Sequence, residues 1–521
     1  MSALQAAAST GVALDALARQ VGLDPVGWLG GGAPVDVGAI RVRGVAHDSR
    51  RVRPGDLFVA IVGAQHDGRR FAADAVARGA VAVLGPRPGN VAPALDVPWL
   101  IDDAPRLRMG SLAARCADHP DRALTLVGVT GTNGKSTVVA LLGAMLDAAA
   151  RPAGQFGTLG LRLRGAAITA TDRSISADRP ASADDRRTTP EADELVRGLD
   201  ALRRAGADSA VMEVSSHGLV LGRVDGLRFD LAVFTQLSRD HLDFHPDLAA
   251  YFAAKTRLFR RLGARGRAVV TIDDVHGRRL AARLRESGVP LLRASIEADT
   301  GADVWPRRAR LDLAGMDVEL HTPRGRLSLI SRLRGRFNLR NLVTAVAAAE
   351  MLRVPHAAIE KAMAVQVPVP GRLAPVIVDG DPSMRDLPIF IDYAHTPDAL
   401  AAVVGDLAAL SRRRLAVVFG CGGDRDAGKR APMGAAVGAR ADLAIATSDN
   451  PRGEDPHAIL DAVERGLRAA GAERRIGGAP PPGVRSYRRV VDRRAALADA
   501  RVVAHGAAQG GPREADRWTV R

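Results

Sequence analysis

Leu124-Thr125-Leu126-Val127-Gly128-Val129-Thr130-Gly131-Thr132-Asn133-Gly134-Lys135-Ser136-Thr137 decides how this chain folds. Leu124 to Val129 is a short apolar run of the kind that a strand buried on both faces carries. A glycine-rich turn follows, and the residues from Lys135 to about Ala150 read as a helix. Strand, glycine turn and helix are the context that a phosphate loop requires. The glycines let backbone approach phosphate oxygens, and the helix N-terminus turns amide N–H groups toward the anion. Lys135 reaches the β and γ phosphates of a nucleotide, and the Ser136 hydroxyl is suited to Mg²⁺. The compact form Gly-x-x-Gly-Lys-Ser is met. The long form is not, because Val129 stands where its first glycine would be.

The same alternation continues on both sides. Ser209 to Val214, Leu231 to Thr235 and Ala268 to Ile272 are apolar runs beside helical segments, which predicts a parallel sheet in a doubly wound α/β fold. Upstream, Gly55 to Gly63 reads as a strand ending in glycine, Ala72 to Gly79 as a helix and Ala80 to Leu84 as a strand, a small α/β unit. Downstream, Val365 to Arg372, with Pro368, Pro370 and Gly371, reads as a linker. A third, Rossmann-like unit follows with strands Ile389 to Tyr393, Leu415 to Gly420 and Leu443 to Thr447. The expected organisation is therefore an N-terminal domain over 1–122, a central domain over 123–366 and a C-terminal domain over 367–521. The polar stretch Ala167 to Arg187 reads as a mobile loop.

Composition narrows the function classes. The 521 residues are 47% hydrophobic, enough for several cores, and 3% aromatic, with the Ala, Gly and Arg bias of GC-rich coding sequence. Cys116 and Cys421 give neither metal spacing nor a disulfide framework, which fits a reducing cytoplasm. No secretory leader and no apolar run of membrane-spanning length is read, so no membrane anchor is expected. The net charge of +15 suits phosphate-rich ligands, but no nucleic-acid motif accompanies it, and nucleic acid is not an expected partner.

Residues at the predicted strand ends carry the chemistry. Glu213 follows the apolar run Ala210 to Met212, and Asp392 to His395 close another run; strand C-terminal ends are where such sheets bind ligands. Asn338 precedes an apolar helix, where capping is the plain alternative to ligand contact.

Gly131-Thr132-Asn133-Gly134-Lys135-Ser136 is narrower than a generic phosphate loop, and further segments occur with it in order. They are Asp48-Ser49-Arg50, Thr188-Thr189-Pro190, Glu213-Val214-Ser215-Ser216-His217-Gly218 and Ser238-Arg239-Asp240-His241-Leu242-Asp243. After these come Gly335-Arg336-Phe337-Asn338, Asp392-Tyr393-Ala394-His395-Thr396-Pro397, Gly420-Cys421-Gly422-Gly423-Asp424-Arg425-Asp426 and Asp449-Asn450-Pro451-Arg452. Together they resemble the Mur ligases and the related folylpolyglutamate synthetases. Within that family they resemble the branch that joins meso-2,6-diaminopimelate to UDP-N-acetylmuramoyl-L-alanyl-D-glutamate in peptidoglycan synthesis.

The resemblance implies an ATP- and Mg²⁺-dependent ligase that activates a carboxylate as an acyl phosphate and lets an amine attack it. It implies that Gly131, Thr132, Asn133, Gly134, Lys135, Ser136, Thr137, Asn338, Asp392 and His395 contact ATP. Lys135, Glu213, His241 and Lys255 would be the catalytic set, with Ser136, Glu213 and His241 on the metal. Lys255 would be carbamylated, which needs a site that favours the neutral amine. His47, Ser49, Ala64, Gln65 and His66 would hold the UDP-sugar end of the substrate on the N-terminal domain. Thr188, Thr189, Ser215 and Arg223 would hold its peptide end. Arg425, Asp449, Asn450, Pro451 and Arg452, in the C-terminal domain, would hold diaminopimelate, Arg452 offering a fork-shaped donor to the carboxylate that lysine lacks. A monomer is expected. Lysine-adding or folylpolyglutamate-type activity, or an impaired nucleotide-binding paralogue, are the competing readings.

The chain also departs from the family. Leu221 replaces a polar residue near Arg223, and Arg187 replaces an Asn before the Thr pair. From about Arg501 the Gly and Glu that would hold the amino acid's α end are absent, and a last strand-helix pair is expected to be missing. That predicts binding of ATP and the UDP-muramyl dipeptide but poor turnover of diaminopimelate.

Overall fold

The computed structural model describes residues 11–23, 36–63, 66–90, 95–167, 187–298, 300–365, 369–376, 387–411, 413–509 and 518–520. The expected sites Ala64 and Gln65, nearly all of the loop 167–187 and part of the linker 365–372 lie outside these residues. The chain forms two compact units. The first holds Met1–Thr130, Ala150–Val233 and Ala254–Ala268, and the second Gly131–Ala149, Phe234–Ala253 and Val269–Arg521.

In the first unit, Gly44–Ala46, Asp56–Val59, Ala82–Gly85 and Trp99–Ile101 form a four-stranded parallel sheet in sequence order. Leu57, Phe58, Val59 and the whole of Ala82–Gly85 are buried, as apolar runs in a covered sheet should be, and Asp56, buried at the start of its strand, is met by Arg197 and by Arg53 N. The larger sheet places Ser209–Glu213 between Ala153–Gly157 and Thr125–Thr130, parallel to both. Beyond Thr125–Thr130 come Phe229–Phe234 and Leu262–Thr271. Helix Ala192–Arg204 buries Ala192, Leu195, Val196, Leu199 and Leu202, an i, i+3, i+4, i+7 stripe. Its first-turn carboxylates Asp193 and Glu194 pair with His47 and Arg51 of the smaller sheet's loop.

In the second unit, Trp305–Leu311, Met316–Thr322 and Gly325–Ser331 form an antiparallel meander. The C-terminal sheet is wholly parallel, ordered Glu473–Arg474, Ser486–Arg489, Leu443–Ala446, Arg414–Phe419, Trp518–Val520. Side-chain alternation along Arg414–Phe419 sends Leu415, Val417 and Phe419 into one core with Val404, Leu407 and Val463. Ala416 and Val418 go into another core, with Ala496, Ala500 and Val503. Helices therefore cover both faces, which makes this a doubly wound layer.

Three expectations need correction. Ile389 to Tyr393 yields a strand only at Phe390–Ile391, because the Asp392 carboxylate takes the N–H groups of Leu373 and Ala394 and turns the chain. Asn338 is not a cap. Gly335 holds that position, and Asn338 lies in the first turn of Arg336–Met351, donating through Nδ2 to Arg334 O. The tail is not without elements: Arg493–Gln509 is a helix, and Trp518–Val520 pairs in parallel with Arg414–Ala416, a helix and then a short strand where a last strand-helix pair is expected to be missing. Ala496, Ala500, Val503 and Ala504 recur at helical spacing and are buried, which fixes Arg501–Ala504 as helix.

Candidate functional site

The phosphate loop is held open by its own backbone. Gly131 has φ +145° and Gly134 +89°, and a Cβ on either would lie 1.9 Å from Thr235 Oγ1 or 2.3 Å from Asn341 Oδ1. Only glycine fits both the dihedral and the space. Thr132 N donates to Gln236 O at 2.8 Å, Thr132 Oγ1 donates to Ser238 O at 3.1 Å, and Thr235 Oγ1 donates to Asn133 O at 2.6 Å. The loop is thus clamped to 235–238. Helix Lys135–Ala148 starts at Gly134 with no side-chain cap, which leaves its first amides to an anion. Lys135 Nζ donates to Gly131 O at 3.0 Å and Thr132 O at 2.8 Å, folded over the loop. Ser136 Oγ accepts from Arg372 at 3.0 Å.

Asp240 is 5% exposed. Its Oδ2 lies 3.4 Å from His241 Nε2 and 3.8 Å from His395 Nε2, and its Oδ1 accepts from His241 N at 2.9 Å. Burial pushes its carboxyl up, but His241, His395 and Lys429 outweigh that and hold it below the ordinary range. His241 sits at φ +55°, a left-handed conformation that fixes its direction. Phosphate loop, Asn338, Asp392, His241 and His395 all belong to the second unit.

The first unit assembles a different set. Glu213, 2% exposed, closes the strand Ser209–Glu213. Its oxygens accept from Thr158 N at 2.8 Å and Thr158 Oγ1 at 3.4 Å, and no cation faces it among the described residues. A buried carboxylate met only by neutral donors is an incomplete charge, which a hard cation would complete. Thr189 Oγ1 donates to Glu213 O at 3.0 Å and accepts from Ser215 N at 2.9 Å, while Ser215 Oγ caps the next helix at Gly218 N. Arg223 Nε donates to Glu191 Oε1 at 3.0 Å and its NH1 to Thr189 O at 3.1 Å. Thr189, Ser215 and Arg223 are therefore brought together, with Thr188 half-buried next to them in sequence.

His47 Nδ1 lies 2.8 Å from Asp193 Oδ1. Burial opposes protonation of His47, but the Asp193 hydrogen bond and charge prevail and raise its pKa. Ser49 is buried in the turn that Asp48 caps, and His66 is exposed. Lys255, 1% exposed, lies in the last turn of helix Leu248–Thr256.

The residues expected to hold the amino acid lie on two loops after C-terminal strands. Arg452, at φ +50°, donates through NH1 to Gly423 O at 2.8 Å, and Gly423 N donates to Asn450 O at 2.8 Å. Asp449 and Arg425 are exposed, Asp449 3.8 Å from Arg493. Pro451 O carries the turn to Glu454 N.

The sequence reading missed Thr158, Glu191, Asp193, Asp240 and Arg372. Asp240 was signalled by its place between Arg239 and His241. The others act across long sequence separations that no local pattern marks.

Comparison with known proteins accounts for this arrangement. Family models match in three stretches: Mur ligase family, catalytic domain, over 41–121; Mur ligase middle domain over 129–349; and Mur ligase, glutamate ligase domain, over 377–508. The UDP-N-acetylmuramoyl-L-alanyl-D-glutamate–2,6-diaminopimelate ligase of Xanthomonas campestris pv. campestris is 42% identical over 441 residues, 82% of either chain. A solved structure of a ligase with the same name superposes with a TM-score of 0.64 at 30% identity, covering 98% of this chain and 93% of that one. The Mycobacterium tuberculosis folylpolyglutamate synthase solved with ADP shares the fold, with a TM-score of 0.62 at 22% identity, covering 80% of this chain and 90% of its own. With a 42% identical relative covering most of both chains, and three successive family models spanning the fold, the chain belongs to the Mur ligase family.

Proposed function

We propose that this chain uses ATP to join meso-2,6-diaminopimelate to the glutamate carboxylate of UDP-N-acetylmuramoyl-L-alanyl-D-glutamate, a step of peptidoglycan synthesis located in the cytoplasm. The observation that carries this reading is the 42% identity over 441 residues, 82% of this chain, with a ligase of that name. The module boundaries near 122 and 366 belong to the same reading.

The chemistry follows from the residues. The phosphate-loop amides and Lys135 hold the β and γ phosphates, drawing charge from the bridging oxygen. The glutamate carboxylate attacks the γ phosphorus, the bond to the bridging oxygen breaks, and ADP leaves. The amine of diaminopimelate then attacks the acyl carbon, and the tetrahedral adduct expels phosphate and sheds the amine proton. Thr188, Thr189, Ser215 and Arg223 orient the peptide end, so that attack is effectively intramolecular. Arg452 and Arg425 orient diaminopimelate by its far carboxylate.

Magnesium, when bound, would supply positive charge to the phosphate oxygens. By the family resemblance Ser136, Glu213 and His241 would hold it; hydroxyl and carboxylate oxygens are the donors it prefers, and a histidine nitrogen is a less usual one. Lys255, as a carbamate, would add a further anionic oxygen group.

The test is phosphate release measured with both substrates present, offering diaminopimelate, lysine or glutamate as the amine. Release should require the UDP-muramyl dipeptide and prefer diaminopimelate. Preference for lysine or glutamate would replace the reading with another of the family's activities, and release independent of any amine would remove it. Diaminopimelate should bind weakly, because the residues after Val503 lack the expected Gly and Glu.

A further inference from the structure

The first unit holds a cavity of about 460 Å³ whose lining includes none of the residues assigned above to the ligase reaction. Its walls include Ser111, His119, Arg122, Arg228, Arg260 and Arg261. Arg122 precedes the strand Thr125–Thr130, Arg228 immediately precedes Phe229–Phe234, and Arg260 and Arg261 precede Leu262–Thr271. These strands are neighbours in one sheet, and the cavity gathers their starts. Glu213 lies at the other edge, since Ser209 pairs with Thr125 at the start of the register and Glu213 with Val129 near its end.

The charge at this cavity is uncompensated. The unit's half-buried arginines Arg106 and Arg223 meet Glu191, Arg151 meets Asp208, and Arg197 meets Asp56, whereas exposed ones such as Arg70 and Arg78 form no ion pair among the described residues. At the cavity only Arg261 meets a carboxylate, Asp225 at 2.5 Å. The side chains of Arg122, Arg228 and Arg260 have no hydrogen-bond or ion-pair partner among the described residues. Asp121, the other nearby carboxylate, is occupied in part: Oδ2 accepts from Arg228 N at 3.2 Å, and Oδ1 faces His119 Nδ1 at 3.9 Å. Four guanidinium groups against two carboxylates leave an excess of positive charge around one concavity. Arg122, Arg228 and Arg260 are exposed, so water screens their mutual repulsion, but their combined field still favours an anion in the concavity. The volume is that of a small-molecule site, and forked guanidinium donors match phosphate oxygens.

We propose that this cavity, at the sheet edge opposite Glu213, binds a small soluble molecule carrying adjacent phosphate groups. Ser111 and the half-buried His119 add neutral polar contacts on its wall. Because none of its residues belongs to the ligase machinery, occupancy and catalysis are separable by mutation.

Pyrophosphate is the probe, titrated calorimetrically into the full-length chain without divalent metal. A Lys135→Ala background removes competition from the phosphate loop. Binding should persist in that background and weaken roughly tenfold or more on adding Arg122→Ala and Arg228→Ala. In the otherwise native chain the same pair of arginine changes should leave phosphate release by the ligase reaction within about twofold. Citrate, which has charge but no phosphate, should bind at least about tenfold more weakly than pyrophosphate. Binding abolished by Lys135→Ala alone, binding unaffected by the two arginine changes, or equal binding of citrate would each overturn the proposal. A lipid headgroup is the other source of such phosphates. Arginine-dependent sedimentation with phosphatidylglycerol vesicles, in the absence of pyrophosphate binding, would equally overturn a soluble ligand.

Discussion

Lys135 illustrates how one side chain is prepared before its ligand arrives. Its ammonium rests on the carbonyls of Gly131 and Thr132; on the proposed reading the charge is thus already above the loop and little reorganisation would accompany nucleotide binding. Lys135→Ala should therefore lower the rate of ATP-dependent phosphate release on the order of 100-fold or more, the cost of losing one preorganised transition-state donor. Far-ultraviolet circular dichroism should be unchanged, which separates this loss from misfolding. Arg452 makes a different case. Its NH1 holds Gly423 O, so the guanidinium both shapes the loop and offers its remaining donors to a carboxylate. Arg452→Lys keeps the charge but loses the fork. It should raise the KM for diaminopimelate on the order of tenfold or more, leaving the KM for ATP within about twofold. Equal changes in both constants would mean that Arg452 only shapes the loop.

At the scale of elements, the link between helix Ala192–Arg204 and the small N-terminal sheet depends on pH. His47 is raised and Asp193 is lowered, each by the other, against the burial of both. For a raised histidine, the stabilisation is complete below the unfolded value of 6.5 and disappears as pH climbs through the folded value. For a lowered aspartate, it is complete above the unfolded value of 3.8 and disappears as pH falls through the folded value. The difference in thermal midpoint between the native chain and His47→Gln should thus be largest near pH 5 to 6 and shrink toward about pH 9. A difference that grew with pH would show that the pair is not the cause. Elements of this kind were partly readable in the sequence. The strands Thr125–Thr130, Ser209–Glu213, Arg414–Phe419 and Leu443–Ala446 announce themselves as apolar runs closed by turn residues, and the helix from Lys135 follows from its loop. Arg501–Ala504 did not, because a short apolar run fits strand or helix equally until Ala496 and Ala500 are seen on the same buried face. Phe390–Ile391 was overextended, because the turn is made by the Asp392 side chain and not by glycine or proline. The phosphate loop was legible because its chemistry is local. The Glu191 carboxylate gathers Arg106 and Arg223 from distant segments, which no local spacing records.

For the whole molecule, the division of residues between the two units makes separate ligand responses expected. Gly131 to Thr137, Asn338, Asp392 and His395 belong to the second unit, whereas His47, Ser49, Thr188, Thr189, Ser215 and Arg223 belong to the first. A ligand that binds only the native state stabilises it by about 2.7 kcal/mol at a hundredfold excess over its Kd. For units of this size, that corresponds to a thermal shift of several degrees. ATP and the UDP-muramyl dipeptide should each raise the thermal midpoint of the native chain. In Lys135→Ala the ATP shift should disappear while the dipeptide shift stays within about one degree, since none of the residues assigned to the dipeptide lies on the phosphate loop. The net charge of +15 acts on both responses alike, because both ligands carry phosphates, so raising the salt concentration should reduce both. Differential scanning fluorimetry with each ligand alone distinguishes the cases. If Lys135→Ala removed both shifts, the two ligands would have to share one set of residues, and the assignment of the dipeptide to the first unit's polar cluster would fail.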